Sequence, residues 1–319
     1  MKTVITNYSQ EFEGLIDAYE KSGGDGDVFK NSENAFLLIN ADKVIGANEV
    51  EGLEIETEEI ENGIKVNITV KKGVKLKKPM HVCFGVTHKE GIQHIVSDYL
   101  LEEGAEAHLL AHCSFPRAEE VVHKMDAVIR LEKDAVLSYN EVHYHGPDAG
   151  IEVLPRTRAE LGENAYFYNE FKLVKGLVGK LDLDYEVDLG ENAVTELISK
   201  VYGKKDDNIR IKETFNLNGK GSRGIAKTRI FAADDTVSEV IGEAYGNAPY
   251  VKGHIDCVEV VKGNAEVSAI PIIKVKDEMA ELTHEASIGR INKKQLDTLI
   301  ARGLSEDEAT DLIVNGMLK

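Results

Sequence analysis

The sequence predicts a mainly β protein: a β-solenoid, read as a parallel β-helix whose coils each carry more than one strand. A short helical segment precedes it and a helical hairpin follows it. Three observations carry this expectation. First, a phrase recurs: LEEGA at 101–105, LEKDA at 131–135, LGENA at 161–165 and LGENA at 189–193 set their alanines 30, 30 and 28 residues apart, and VKGNA at 261–265 repeats it later. Second, each phrase leads into a β-type run (107–112, 136–142, 166–173, 194–201) with little helical periodicity. A fixed period in this range marks a solenoid, because one unit can bury its inner face only by stacking on its neighbours. A β-sandwich would not require the same phrase at a constant interval. Third, the pattern turns helical after Gly289, with two capping signals in close succession.

In chain order, 9–19 reads as an amphipathic helix capped by Ser9, with Phe12, Leu15, Ile16 and Tyr19 on one face. The glycine-rich loop KSGGDGD ends it, giving an N-terminal helical segment over 1–27. The β-helix core is expected over 28–289. Its first strands fall at 35–39, 64–70 and 81–86, with turns at Asn62-Gly63 and Lys72-Gly73. The acidic stretch 49–61 reads as solvated faces and turns. The hairpin occupies 290–319. Asn292 with Gln295 opens its first helix, which carries Leu296, Leu299 and Ile300 on one side; Gly303 between Arg302 and Leu304 resembles a glycine C-cap. Ser305 with Glu308 opens the second helix, with Ala309, Leu312, Ile313 and Met317 on one side. Such a hairpin either closes the end of the solenoid or presents an apolar stripe to a partner.

Composition excludes some classes. A formal net charge of −18 argues against nucleic acid or an anionic membrane as partner, since both need a basic surface. An apolar fraction of 42% supplies a core, and with no Trp small and β-branched residues must fill it. Cys83, Cys113 and Cys257 are far apart with no CxxC pair, so neither a disulfide framework nor a zinc ribbon is indicated. Free thiols, no signal-peptide core and no apolar run near ~20 residues lead to a cytoplasmic expectation.

Several motifs could carry chemistry. Gly219, Gly221 and Gly224 match GxGxxG, but the following run is short and β-rich, so this reads as a turn between coils and not a dinucleotide site. Glu141, His143 and His145 alternate along one strand and so share a face; the H-x-H spacing resembles the metal strand of cupins. His81 with Cys83 has the same alternate spacing, and His112 adjoins Cys113. Cys257, flanked by His254 and Asp256, and the later pair His284-Glu285 place a thiol and an imidazole on strands of one sheet. Strands hold ligands more rigidly than loops do.

Taken together, GHIDC at 253–257, Ile270-Pro271, AELTHEA at 280–286 with Ile288-Gly289, Gln295-Leu296, RGLS at 302–305 and LIVNG at 312–316 form an ordered set. The set resembles the SufB/SufD family, scaffold proteins of the SUF iron–sulfur cluster assembly system, over roughly the last two-thirds of the chain. The resemblance implies a right-handed parallel β-helix that dimerises through its core and handles a transient iron–sulfur cluster. It also implies docking of the ABC-type ATPase SufC on the terminal helices, here Leu296, Leu299, Ile300, Leu304, Leu312 and Ile313. A cysteine in the position of Cys257 is expected to receive sulfur or ligate the nascent cluster. His284, in a position at the SufB–SufD interface, and Glu285 are then nearby ligands or their supports. Thr283 stands where SufB carries a glutamate, SufD often lacks the cysteine, and most of the N-terminal extension of bacterial SufB is missing. The expectation is therefore a compact SufB/SufD-type protein that forms a homodimer or pairs with a paralogue. Reduced flavin is associated with SufB-containing complexes, but no residues here mark a flavin site. Two other readings stay open: a metal- or flavin-dependent enzyme using His143 and His145, and a purely structural solenoid that docks a partner. Glu141, Cys83 and Cys113 are the further metal candidates.

Overall fold

At 101–105, 131–135, 161–165 and 189–193 the recurring phrase is the same corner of four successive coils, where the chain crosses from one sheet to the other. In the computed structural model, which describes residues 5–6, 10–146 and 150–318, Gly104, Asp134, Asn164 and Asn192 take φ of 69°, 58°, 58° and 56°. Only Gly, Asn and Asp enter this left-handed region at low cost, which is why the phrase always sets one of them before Ala. The alanine N–H then closes a turn on the carbonyl three residues back, as in Ala105 to Glu102 and Ala135 to Glu132. Corners also bond to one another: Gly104 N–H donates to Lys133, Asp134 to Glu163, and Asn164 to Glu191. Ala105, Ala135, Ala165 and Ala193 are fully buried, so a larger residue would force the corner open.

Between corners the chain alternates between two sheets, one of eleven strands and one of nine, making about eight coils. Parallel pairing is in register for whole strands: Val136–His145 lies on Glu106–Phe115, and Lys252–Val261 on Arg223–Ala232. Burial alternates with period two, as in Lys180–Leu189, where Leu181, Leu183, Tyr185, Val187 and Leu189 face the lumen. Most of the lumen is a stack of aliphatic and aromatic side chains, the larger aliphatic and Phe ones each contributing about 1.5–3 kcal/mol by burial. Gly219–Ser222 forms a turn between coils, with Gly221 at φ 72°.

The N-terminal end is closed by antiparallel strands. Phe36–Asn40 pairs antiparallel with Lys43–Asn48, and Leu53–Ile60 with Gly63–Val70. The acidic stretch expected to be turns and solvated faces is therefore largely a strand: Leu53 and Ile55 face in while Glu54, Glu56 and Glu58 face out. The helix Gln10–Ser22 lies on the outside, packing Phe12, Leu15 and Tyr19 against Phe36, Leu38 and Cys83. Ser9, the expected cap, lies outside the described residues.

At the other end, Lys293–Ile300 and Glu306–Met317 form the hairpin. Asn292 caps the first helix and Ser305–Glu308 makes a capping box on the second; Gly303 (φ 100°) turns the chain between them. The hairpin does not close the solenoid. Val314 and Leu318 pack on Phe231 and Ala233, with Val174, Tyr202 and Val260 beside them, so the second helix runs along strand ends of successive coils. Of the expected side, Ala309 is buried and Met317 packs on this cluster, whereas Leu312 is 53% exposed; Thr310, Val314 and Leu318 complete the buried stripe. The last strands, Glu266–Val275 and Glu281–Arg290, have no coil above them and keep Ile270, Ile273, Val275 and Ile288 exposed. Among the described residues, no helix is long and apolar enough to cross a membrane.

Candidate functional site

Two polar clusters interrupt the apolar lumen. The first sits beside the uncovered end. In the strand Lys252–Val261, Gly253, Ile255, Cys257 and Glu259 occupy the inward phase. The following strand of the same sheet pairs Ile255 with His284 and Cys257 with Ala286. Paired residues in a parallel ladder face the same way, so Cys257 and His284 share the inner face on adjacent strands, offset by one inward position. Glu285 pairs with Asp256 and lies on the outer face, where Arg229 binds Asp256. The register thus sets Cys257 and His284 on one face of adjacent strands and turns Glu285 to the other. Thr283 also faces out, with its hydroxyl 2.8 Å from Nδ1 of His254.

Glu259, which sequence reasoning missed, completes this end. Its Oε1 is 3.9 Å from the Cys257 Sγ, and its Oε2 accepts from the Ser238 hydroxyl at 3.0 Å. Burial pushes the Glu259 carboxyl up to about 7, against the lowering effect of those two bonds. The Cys257 thiol is raised mainly by burial, then by the charges of Glu259 and Glu213. Glu213 enters from the facing sheet and is held by the hydroxyls of Ser199 at 2.7 Å and Thr228 at 2.9 Å; Thr228 is the register partner of Cys257. His284 is shifted down, mainly by burial and then by His254, which leaves its imidazole neutral and able to bind a metal.

The second cluster lies four coils away. Glu141, His143 and His145 all face inward and are buried. His145 Nδ1–H donates to the Leu177 carbonyl at 2.7 Å, His143 Nδ1 is 3.4 Å from His145 Nε2, and His143 Nε2 is 2.6 Å from Glu141 Oε1. Burial lowers His145 to about 3, so its ring is neutral. Cys113 pairs directly with His143, and its Sγ is 3.8 Å from Glu141. His123, a second residue missed from sequence, reaches the same spot from the other sheet. Its signal was present: in Glu120–Leu131 it shares the inward phase with Val121 and Met125. Cys83 is not part of this group. It is the register partner of His112 on the outer face and packs beneath the N-terminal helix, where burial raises its thiol. His112 is bonded there to the Ser22 hydroxyl.

The hairpin residues divide in the same way. Leu299, Leu312 and Ile313 line a groove of about 780 Å³ between the two helices and the sheet flank at Phe231 and Val260. Leu296, Ile300 and Leu304 lie outside that lining, and Ile300 is exposed.

A family described as the SufBD core domain of SUF system FeS cluster assembly matches residues 88–317. The chain belongs to the SufBD family. It is 40% identical to an iron–sulfur cluster assembly SufBD family protein of Methanocaldococcus jannaschii, over 97% of this chain and 98% of that protein. It is likewise 40% identical to one from Pyrococcus horikoshii, over 99% of this chain and 96% of the relative. A second Pyrococcus horikoshii SufBD protein is 32% identical over 78% of this chain but only 56% of its own length. Compact and longer SufBD proteins therefore share the sequence of this core. The match spans both polar clusters and the hairpin, and members of this family are iron–sulfur cluster assembly proteins.

Proposed function

We propose that this SufBD protein is an assembly scaffold on which iron and sulfide are gathered into a cluster, working as a homodimer with a SufC-type ABC ATPase. One observation carries the reading: Cys257 and His284 share the inner face of adjacent strands one step from an open end. Alone they are half of a ligand set. A second copy meeting the same open coil about a two-fold axis supplies the other half, as isologous contacts do. The cluster is cargo, and a mixed, divided set releases it more readily than four buried thiolates would. The exposed Ile270, Ile273, Val275 and Ile288 beside unpaired strand edges support a second copy as the cover.

Within one chain the roles follow from proton accounting. The Cys257 thiol must lose its proton to bind iron, or to attack the outer sulfur of a donor persulfide and release the donor's thiolate. Glu259, near 3.9 Å from that sulfur and titrating near neutrality, is the group placed to take it. The ATPase docks at the hairpin groove around Leu299, Leu312 and Ile313, and ATP binding there supplies the free energy that opens the dimer.

Anaerobic reconstitution with ferrous iron and sulfide tests the site. The wild-type chain is expected to show cluster absorption in a dimer, and Cys257→Ser to lose it while keeping its fold by circular dichroism. Undiminished cluster content in Cys257→Ser would falsify the ligand role. Leu312→Arg, on an exposed position, is expected to abolish capture of the ATPase; retained capture removes the hairpin from the docking surface.

A further inference from the structure

The second cluster has the makings of a site of its own. Cys113 and His143 are direct partners on adjacent strands, and His123 faces them from the opposite sheet. One ligand atom from each residue lies within 4.8 Å of the other two, and all three side chains are buried. Neither ring nitrogen of His123 has a hydrogen-bond partner among the described residues, although the residue is 0% exposed. A buried imidazole with both nitrogens orphaned is costly, and an apolar residue would fill the space at no such cost. Glu141 touches both neighbours, 2.6 Å from His143 and 3.8 Å from Cys113.

We propose that Cys113, His123 and His143 bind a first-row divalent cation of the zinc or ferrous type inside the solenoid, with Glu141 as fourth ligand or as the group orienting His143. One sulfur and two imidazole nitrogens are the donors such ions prefer, whereas calcium and magnesium require sets of oxygens. Charge also balances: a Cys113 thiolate and a Glu141 carboxylate neutralise a dication, so the buried site carries no net charge. Three strands from two sheets hold the donors, which fixes their geometry before the ion arrives. The site stands apart from Cys257 and is independent of the scaffold reading.

Titration of the chelator-stripped full chain with Co(II) tests it. The expected result is stoichiometric binding with thiolate-to-metal charge-transfer absorption and the intense visible bands of a tetrahedral site, reversed by added Zn(II). In a Cys257→Ser background, which removes the thiolate of the proposed cluster site, the charge-transfer band is expected to persist and a further Cys113→Ser to remove it, while Glu141→Gln lowers Co(II) affinity by about 10–100-fold. His123→Gln abolishes the rise in melting temperature that the metal gives the wild type. A wild-type chain with no thiolate–cobalt band overturns the proposal, whatever the variants do. So does a band that survives Cys113→Ser in the Cys257→Ser background, or one that disappears with Cys257→Ser alone.

Discussion

At the N-terminal end, Leu53–Ile60 folds back antiparallel on Gly63–Val70 and turns Glu54, Glu56 and Glu58 to solvent. At the C-terminal end, Glu266–Val275 and Glu281–Arg290 continue the parallel ladders and then stop, with Val275 51% and Ile288 50% exposed. Leu53–Ile60 and Glu266–Val275 are the two edges of the nine-stranded sheet, and Glu281–Arg290 is an edge of the eleven-stranded one. Charges on one repel any further strand, whereas aliphatic residues on the other invite one. The difference separates a finished end from an unfinished one, and the thiol and imidazole pair lies beside the unfinished end. An isolated solenoid with no assembly role would have reason to blunt both.

The sharpest way to break this contrast is to charge the open end. Ile288→Glu is expected to convert a dimer wholly to monomer in analytical ultracentrifugation, while Glu56→Ala at the closed end leaves the mass unchanged; equal behaviour of the two would erase the distinction. Middle coils should respond differently again. Phe215→Ala, at a fully buried lumen position, is expected to cost about 3–5 kcal/mol in denaturant unfolding, whereas Ile288→Ala in the monomer costs under about 1 kcal/mol.

Glu259 sharpens the comparison through pH. Its folded pKa of about 7 lies above the ordinary 4.5, so the folded chain keeps a proton that the unfolded chain releases. Its stabilising contribution is full below about pH 4.5 and is lost as pH rises through about 7, on the order of 3 kcal/mol in all. Glu259→Gln should therefore gain stability over the wild type by roughly that amount between about pH 5 and 8, measured by paired urea melts. A constant difference across that range would mean the carboxyl titrates normally. The smallest effect is at the hairpin: Ser305→Ala removes the cap of the second helix and is expected to cost about 1 kcal/mol, seen as a modest drop in helix melting temperature.

What could be read from sequence follows from which constraints are local. The coil corners were legible because a left-handed residue before a buried alanine admits Gly, Asn or Asp and little else, as at Gly104, Asp134 and Asn164. The strand Leu53–Ile60 was hidden because its outward row is almost all glutamate, which resembles a solvated turn until Leu53 and Ile55 are seen to alternate with it. In the second hairpin helix, Leu312 and Ile313 are as apolar as Val314, and periodicity alone does not choose which stripe meets the sheet. His123 escaped because it joins His143 across the lumen from the facing sheet, a contact that no spacing along one strand encodes. The pairing of Cys257 with the row of His284, and the exclusion of Glu285, required the register, since a single residue's slip exchanges the two faces.

The stacked corners make the coil a unit of length. Glu141, Phe171, Ser199, Thr228 and Cys257 form one column of register partners, so the two polar clusters are four strand spacings apart, roughly 19 Å. Duplicating one repeat between them would lengthen that interval by about 4.8 Å while leaving both termini of the stack as they are. Natural variation by whole repeats would thus act like adding a link to a chain: the span between the two chemistries changes in discrete steps, and neither has to be rebuilt.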